Sequence, residues 1–346
     1  MNTYRLAAAG RLVLMASLGL LSAGQVRAQG SGSVTLDAAR ARGYVTCGTS
    51  GTIPGFALVD STGVMRGLDA DSCRAIAAAA LGDAGKVRFV TTSTQNRFTA
   101  LQSGEIDVLL RNTGWSLTRE GNLGLAFASV NFWDGAAFIV KAASGVKSAK
   151  ELDGATVCVL PGTSTELILA DWFRANTLRF TPVLIDGDSA IQQAFLSGRC
   201  DAYVSDGSQI AGFRFQQGGR AAELTILPER ISSEPSGAAV RKGDEKWFDI
   251  VRWTHFALVT AEQDGVGAKD VAGLGGATDP DVRRLLGLEG ELGKALGLDA
   301  RWAARAVEQV GNYGEMFARN ITPLGIERGQ NALWTKSGLQ FSPPMR

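Results

Sequence analysis

The sequence predicts an α/β protein made of two similar lobes, each built on a mainly parallel sheet, and three observations support this. Apolar strands alternate with helical segments in both halves of the 346-residue chain. FTALQSGEIDVLLRNT at 98–113 matches QQAFLSGRCDAYVSDG at 192–207, and VTCGTS at 45–50 matches CVLPGTS at 158–164. Chance similarity of common helix–glycine–strand connections is the alternative, but two matches in the same order favour two related lobes.

The first 28 residues differ in composition from the rest. Arg5 and Arg11 precede an apolar stretch at 12–21, and Val26-Arg27-Ala28 supplies a small-residue cleavage site. This pattern predicts a cleaved secretory signal peptide over 1–28, and the apolar stretch is too short for a membrane anchor. Removing the three arginines changes the formal charge from +1 to −2.

Charge and composition exclude two classes of partner. A nearly neutral chain without a clustered basic face argues against nucleic acid. A single histidine and four widely spaced cysteines without a short Cys-x-x-Cys pair argue against a metal site. The sequence therefore predicts no nucleic-acid partner, no metal and no cofactor.

The four cysteines predict two disulfides, because the chain is expected to be exported to an oxidising compartment. Cys47 ends a predicted strand, and Cys73 lies in the helix that should pack on that strand. Cys158 and Cys200 lie at two strands of the second half. Of the three possible pairings, 47–73 with 158–200 keeps each bridge inside one half of the chain. Four buried free thiols are the alternative.

Two similar extended segments predict the connections between the lobes. GAAFIVKAASG at 135–145 and PSGAAVRKGD at 235–244 are predicted hinge strands, with hinges near Ile139 and Val240. Lobe 1 is then discontinuous, spanning 29–138 plus 242–346, and lobe 2 spans 139–241. Ligands of parallel sheets bind outside the carboxyl ends of the strands, so the polar loops at those ends should face each other across a cleft.

The segment at 246–261 predicts an amphipathic helix. Its inward stripe includes Trp247, Ile250 and Leu258. His255 lies away from this stripe, so we expect a surface or interlobe histidine.

Taken in order, the motifs resemble the periplasmic solute-binding proteins of amino-acid ABC importers, in particular the general L-amino-acid or glutamate/glutamine/aspartate/asparagine-binding branch. The motifs that carry the resemblance are RGYVTCGTSGTIPGF, GLDADSCRAIAAAALGD, RFTALQSGEIDVLLRNT, ELDGATVCVLPGTSTELILADWFRAN, GRCDAYVSDGS, VGNYGEMFARN and GQNALWTKSGLQFSPPMR. The resemblance implies a type II periplasmic-binding fold, two lobes joined by two hinge strands. It also implies a monomeric periplasmic protein that captures a free L-amino acid, polar or acidic or over a broad range, and delivers it to an inner-membrane ABC permease.

The resemblance further implies how the ligand is held. Arg119, after the strand that ends at Leu110, occupies the place of an arginine that clamps the α-carboxylate, for which a planar guanidinium is suited. Thr163 and Ser164 open a helix of the other lobe, whose free N–H groups favour the same anion. Asp206 occupies the place of the carboxylate that binds the α-ammonium.

The loop before Arg119 departs from the family pattern. Similar proteins often have Thr or Ser at the place of Gly114, so here the backbone N–H of Gly114 remains together with Asn112 and Thr113. Three further residues are predicted to line a pocket for the ligand side chain: Arg111, Ile53 and Trp133.

Each of these assignments has a structural alternative. Arg119 and Arg111 would be solvated surface charges, Asp206 and Thr163 would be turn or capping residues, and Trp133 would pack in the core.

Two other functions remain open at this point. The same fold hosts a periplasmic enzyme, a cyclohexadienyl dehydratase, which needs a general acid or base in the cleft. The loops named above offer only Glu166, which more simply favours a helix N-terminus. A receptor sensor domain would need a membrane span or a fused signalling domain, and beyond residue 28 we find neither in the sequence. We therefore predict a binding protein and not an enzyme.

Overall fold

The computed structural model describes residues 30–346, so the predicted signal peptide at 1–28 lies outside the described residues. Within residues 30–346, no helix combines the length and the apolar character needed to cross a bilayer. The strands are β1 (Val45–Thr49), β2 (Thr52–Ile53), β3 (Ala57–Val59), β4 (Met65–Arg66), β5 (Val87–Thr91), β6 (Val108–Leu109), β7 (Leu125–Asp134), β8 (Ala136–Lys141), β9 (Ala155–Val159), β10 (Phe180–Leu184), β11 (Ala202–Asp206), β12 (Leu224–Ile226) and β13 (Glu234–Arg241). The α-helices are α1 (Val34–Arg42), α2 (Leu68–Leu81), α3 (Arg97–Ser103), α4 (Leu117–Asn122), α5 (Ser164–Ala175), α6 (Asp188–Leu196), α7 (Gly207–Gln216), α8 (Glu245–Gln263), α9 (Pro280–Leu285), α10 (Leu292–Ala295), α11 (Trp302–Val310) and α12 (Tyr313–Asn320).

Two five-stranded sheets have the same design. The first has the order β5-β1-β6-β13-β7, with β1 parallel to β5 and β6 and with β13 antiparallel to its neighbours. The second has the order β10-β9-β11-β8-β12, with β9 parallel to β10 and β11 and with β8 antiparallel. In each sheet four strands run in one direction and a single strand, β13 or β8, runs in the opposite direction, so the sheets are mainly parallel as predicted and mixed at one side.

The sequence match between the two halves corresponds to the same contact in each sheet. Asp107, just before β6, accepts hydrogen bonds from the N–H and the hydroxyl of Thr46, both at 2.8 Å. Asp201, just before β11, accepts the same pair from Thr156, at 2.8 and 2.6 Å. The aspartate at the start of the strand thus fixes the neighbouring parallel strand in both lobes.

Both predicted disulfides are confirmed. Cys47 of β1 is bonded to Cys73 of α2, with Cα atoms 6.1 Å apart. Cys158 of β9 is bonded to Cys200, which precedes β11, with Cα atoms 5.6 Å apart. The bridges join residues 26 and 42 positions apart, so each removes roughly 3–4 kcal/mol of chain entropy from the unfolded state. The alternative of four free thiols is wrong.

The chain changes sheet at two places. Gly135 alone separates β7 of the first sheet from β8 of the second, and the return runs between Ile226 and Glu234. A Cβ on Gly135 would lie 2.2 Å from the Ser232 carbonyl oxygen, so only glycine lets the two crossing segments approach this closely.

The predicted hinges, Ile139 and Val240, lie inside β8 and β13 because both extended segments are incorporated into sheets. The lobe limits at 138/139 and 241/242 stay a prediction.

The only histidine of the chain belongs to the core of α8. His255 is buried, its Nε2 lies 3.1 Å from the side-chain oxygen of Gln340, and its ring meets Tyr313 edge-on. Burial lowers the pKa of His255 to about 4, which keeps the ring neutral at physiological pH. The expected surface or interlobe position is therefore wrong, because the C-terminal segment covers this face of the helix.

The paired aspartates give a first prediction. Asp107 is 2% exposed and also binds Arg42, whereas Asp201 is exposed. Asp107→Ala leaves buried donors of Thr46 without a partner and should lower the free energy of unfolding by about 1–3 kcal/mol. In Asp201→Ala, water replaces the lost acceptor, so the loss should stay below about 1 kcal/mol. Urea denaturation of the two variants measures the difference, and equal losses would contradict it.

Candidate ligand-binding site

The polar loops at the carboxyl ends of the strands meet in one small cavity of about 30 Å³. The first sheet contributes the loop after β6 together with the starts of α3 and α4, and the second contributes the starts of α5 and α6 and the end of β11. β13, which begins where the chain returns to the first sheet, forms one edge of the cavity through Glu234 and Ser236. Residues of both sheets thus surround a space that has room for only one or two water molecules.

Asn112 and Asp206 join the two sides of this cavity. Asn112 has a left-handed backbone, with a φ of 42°, and its N–H donates to Asp69 at 2.8 Å. Its side-chain amide then donates to Asp206 Oδ2 at 3.1 Å, and Gln209 donates to the same oxygen at 3.3 Å. Asp206 therefore acts as an acceptor whose present donors are neutral amides.

Arg119 lies in the first turn of α4, behind its N-cap Ser116. Its side chain is 9% exposed, its Nη1 donates to the carbonyl oxygen of Gly114 at 2.7 Å, and its guanidinium lies 5.4 Å from the ring centre of Phe98. No other side-chain hydrogen bond of Arg119 forms within residues 30–346. Burial lowers the pKa of this arginine, but guanidinium stays charged, so its remaining N–H groups can serve an anion.

Gly114 lies beside Arg119, Glu234 and Ser164. A Cβ built on it would be 3.3 Å from Arg119 Nη1, 3.4 Å from Glu234 Oε1 and 3.9 Å from Ser164 Oγ. A Cβ at this position would be in contact with all three side chains and would require the tip of Arg119 to shift by only a few tenths of an ångström. The hydroxyl that is missing at Gly114 would therefore lie beside the same arginine, glutamate and serine side chains.

Of the two hydroxyl residues at the start of α5, Thr163 and Ser164, only Ser164 has a hydroxyl that is free to bind a ligand. Thr163 is the N-cap: its hydroxyl accepts from the Glu166 N–H at 3.2 Å and donates to the Leu160 carbonyl at 2.8 Å. Ser164 also lines the cavity, and its hydroxyl makes no hydrogen bond within the described residues. Thr163 therefore fixes the helix end, while Ser164 and the first N–H groups of the helix face the cavity.

The carboxyl groups of the site influence one another. Burial raises the pKa of Asp206 well above its usual value, the charges of Asp134 and Glu234 raise it further, and Arg119 and Arg97 act in the opposite direction. An ammonium group placed beside Asp206 would favour its ionised form.

Arg111 is a buried cavity residue and not a solvated charge. It is 6% exposed, its Nε donates to the Thr92 carbonyl at 3.0 Å, and its Nη2 lies 3.8 Å from Asp188 of the other sheet. Asp188 also accepts from the Thr52 hydroxyl at 2.9 Å. A second contact therefore spans the cleft beside the Asn112–Asp206 pair.

Three predicted site residues do not line this cavity. Thr113 is fully buried, and its carbonyl accepts from the Gly237 N–H, which ties the loop to β13. Ile53 is 3% exposed in the core next to α2. Trp133 borders a separate open cavity of about 810 Å³, which residues 323–331 also line.

Sequence reasoning missed several residues that do line the cavity: Thr94, Arg97, Asp188, Gln209, Glu234 and Ser236. Thr94 and Arg97 follow β5, and Asp188 follows β10, so the rule of strand carboxyl ends would have found them. Glu234 and Ser236 belong to β13, and no local sequence pattern indicates that this strand borders a site.

Comparison with known proteins finds similarity along most of the described chain. The family model of bacterial extracellular solute-binding proteins, family 3, matches residues 45–268. The glutamate/glutamine/aspartate/asparagine-binding protein BztA of Rhodobacter capsulatus is 49% identical, over 90% of this chain and 93% of that protein. The general L-amino acid-binding periplasmic protein AapJ of Rhizobium johnstonii is 46% identical, over 93% of this chain and 95% of that protein. A solved ABC-transporter periplasmic binding protein from Brucella ovis, with glutathione bound, superposes with a TM-score of 0.88 at 45% identity, covering 90% of this chain and 99% of that one.

The raised pKa of Asp206 gives a second prediction, for the ligand-free protein. A carboxyl whose pKa is higher in the folded state destabilises that state as pH rises above the unfolded value of 3.8. Asp206→Asn should therefore raise the melting temperature at pH 7 and change it little at pH 4. Each 1 kcal/mol corresponds to about 2–4 °C.

Asp201→Asn is the matched control, five positions earlier in the same lobe. Hydrogen bonds from Thr156 lower the pKa of Asp201, so its contribution to stability is present above pH 3.8 and is lost as pH falls. This variant should melt lower than the wild type at pH 7. Thermal melts of both variants between pH 4 and pH 7 test the two signs, and a destabilised Asp206→Asn protein at pH 7 would contradict the first.

Proposed function

Because the chain belongs to family 3 of the bacterial extracellular solute-binding proteins, we propose that it captures free L-amino acids in the periplasm and delivers them to an ABC importer. The type II periplasmic-binding fold predicted from the sequence is confirmed by the family match and by the Brucella ovis structure. One observation carries the proposal: a guanidinium, a helix N-terminus and a buried carboxylate converge on one cavity between the two sheets.

These groups suit the two ends of a zwitterion. Arg119 with Ser164 and the first N–H groups of α5 would hold the α-carboxylate from both sides of the cleft. Asp206 would hold the α-ammonium and exchange its neutral amide donors for a charged one, which makes a stronger hydrogen bond. The guanidinium of Arg119 comes from one lobe, whereas Ser164, the N-terminus of α5 and Asp206 come from the other, so full binding requires the two lobes together.

The names of the relatives indicate the range of ligands. BztA is named for glutamate, glutamine, aspartate and asparagine, and AapJ for L-amino acids in general. The Brucella ovis protein holds glutathione, whose γ-glutamyl group presents a free amino-acid head. A shared zwitterion clamp with differing side-chain pockets accounts for this range. All three relatives are named as binding proteins, so the dehydratase alternative is not favoured.

Binding should be coupled to opening and closing of the cleft. The cavity of about 30 Å³ is too small for a ligand, and two contacts, Asn112–Asp206 and Arg111–Asp188, already span it. An entering ligand must part these contacts and then replace them with its own. A ligand shifts such an equilibrium only by the contacts that it gains in the closed state.

A third prediction concerns the clamp. Arg119→Ala should weaken amino-acid binding at least roughly thirtyfold, because truncating one partner of a desolvated charge pair costs about 2–5 kcal/mol. Titration calorimetry measures the affinity, and a melting curve checks that the fold is intact. Arg174→Ala, which removes an exposed arginine of α5, is the control and should bind as the wild type does. Near-wild-type affinity of the Arg119 variant would remove this residue from the site.

A fourth prediction concerns closure. Free L-glutamate or L-glutamine should decrease the radius of gyration in small-angle scattering, because both ends of the zwitterion are needed to bring the lobes together. N-acetylated and amidated forms each lack one charge and should not do so. If the blocked forms compact the protein as well as the free ones, the zwitterion clamp is wrong.

A further inference from the structure

The open cavity beside the crossing between the sheets is separate from the cleft proposed for amino acids. Asp206 lines the small cavity of the cleft, whereas the next residue, Gly207, lines the open one, and the two share none of their lining residues in the described part of the chain. The volume of the open cavity, about 810 Å³, falls within the range of roughly 300–1,000 Å³ that is typical of small-molecule sites. Amino-acid capture in the cleft leaves this space without a role.

One wall of the open cavity is formed by the end of β7 and the segment 323–331. The Trp133 N–H donates to Asn331 Oδ1 at 2.7 Å, and Asn331 Nδ2 donates back to the Trp133 carbonyl at 2.9 Å. Arg328 of the same segment is paired with Glu262 of α8 at 3.0 Å. These contacts fix the wall, so the cavity is a defined part of the fold.

The opposite wall carries two guanidiniums that are held by contacts with the backbone. Arg214 of α7 donates from Nε to the Ala221 carbonyl at 3.1 Å, which leaves its terminal amino groups available. Arg230 lies against the start of α7, because a Cβ built on Gly207 would be only 2.9 Å from Arg230 Nε. Both guanidiniums are therefore positioned at the cavity without the help of a carboxylate.

Unpaired positive charge exceeds unpaired negative charge in this cavity. Within residues 30–346, Arg214 and Arg230 form no ion pair. Of the two carboxyl side chains in the lining, Asp134 already accepts from the Gly135 N–H at 2.8 Å and from a serine hydroxyl. Glu327 is then the one carboxylate of the described lining that remains to balance two guanidiniums.

Flat apolar surface accompanies this charge. Trp133 is partly buried in the first wall, and its indole N–H has no acceptor within the described residues. Phe215 lies on the opposite wall and is 55% exposed, although it is a large apolar side chain. Leu324 and Ile326 add aliphatic surface. Guanidinium groups suit an anion, and aromatic rings suit a flat apolar body, so the lining favours a ligand that has both.

We propose that the open cavity is a second binding site, for an organic anion that has a flat apolar body. Arg214 and Arg230 hold the anionic group. The apolar body lies against Trp133 and Phe215, and the indole N–H supplies a further donor. This inference goes beyond the proposed function, because no residue of the amino-acid cleft takes part in it.

Two fluorescent probes that differ only in their charge test the inference on the wild-type protein. The anionic probe is 8-anilinonaphthalene-1-sulfonate, and the neutral one is N-phenyl-1-naphthylamine, which has the same rings without the sulfonate. Fluorescence titration should show one site per chain for the sulfonate, with an affinity at least about tenfold higher than for the neutral probe. Equal affinities, or no saturable binding of the sulfonate, overturn the inference and leave the proposed function intact.

Substitutions locate the anionic group. Arg214→Gln and Arg230→Gln should each weaken binding of the sulfonate at least about fivefold and change binding of the neutral probe less than about twofold. Arg220→Gln is the matched control and should bind both probes as the wild type does, because Arg220 is an exposed arginine that is paired with Glu223 and lies outside the lining. A loss in Arg119→Ala without one in Arg230→Gln would place the probe in the cleft and overturn the inference.

A substitution in the apolar part separates direct contacts from a general loss of structure. Phe215→Ser should weaken both probes to the same extent, because it removes apolar surface and leaves the charge unchanged. Melting curves check that each variant is folded, and if Arg230→Gln does not fold, Arg214→Gln on the exposed face of α7 decides the matter. Equal weakening of both probes by the arginine substitutions overturns the inference, because a purely structural arginine would affect both alike.

Discussion

Buried charge at the facing strand ends is the constraint on which the rest of the structure depends. Three guanidiniums and three carboxylates converge on a space of about 30 Å³, where each would be far more stable in water. Such a cluster persists only if the elements that carry it cannot relax. The disulfides join the elements of each sheet, β1 to α2 and β9 to the start of β11. The aspartates at 107 and 201 fix the strands that lead into the site.

The site and the crossing between the sheets are connected by short contacts. Asp206 is followed directly by Gly207 and Ser208, and the N–H of Gly207 donates to the Gly135 carbonyl at 2.9 Å. The Ser208 hydroxyl donates to Asp134, the last residue of β7, at 2.5 Å. Burial raises the pKa of Asp134, and its charge in turn raises that of Asp206. Asp134 directly precedes Gly135, so this charge interaction connects Asp206 with the crossing between the sheets.

The sequence predicts the fold better than it predicts the site, and the reason is visible in individual residues. Periodicity, glycine turns and cysteine placement are local, so the two sheets, the helices and both disulfides follow from them. The rule that ligands bind at the carboxyl ends of parallel strands predicts one common cavity for four residues, and the structure brings them together there: Arg111, Arg119, Ser164 and Asp206. The ligand contacts expected for Trp133 and Ile53 stay a prediction, and neither residue lines the cavity, because a strand alternates its faces and only the tertiary packing decides which face borders it. The exposed position expected for His255 is wrong because the segment that covers it contains Gln340, which lies 85 positions later in the chain.

Gly114 shows how one position can relate the clamp to the choice of ligand. The residue forms a bridge to Ser236 of β13, so its backbone cannot move away from the crossing strand. The Trp115 N–H donates to the Pro235 carbonyl at 2.7 Å, which fixes the loop on its other side. With the loop fixed, a side chain at this position would contact Arg119 and Glu234, and glycine leaves that space open. In the proposed clamp, the carboxylate of a ligand would meet Arg119 and Ser164 without a hydroxyl at position 114 beside them, so its binding would depend on the guanidinium and on the N-terminus of α5.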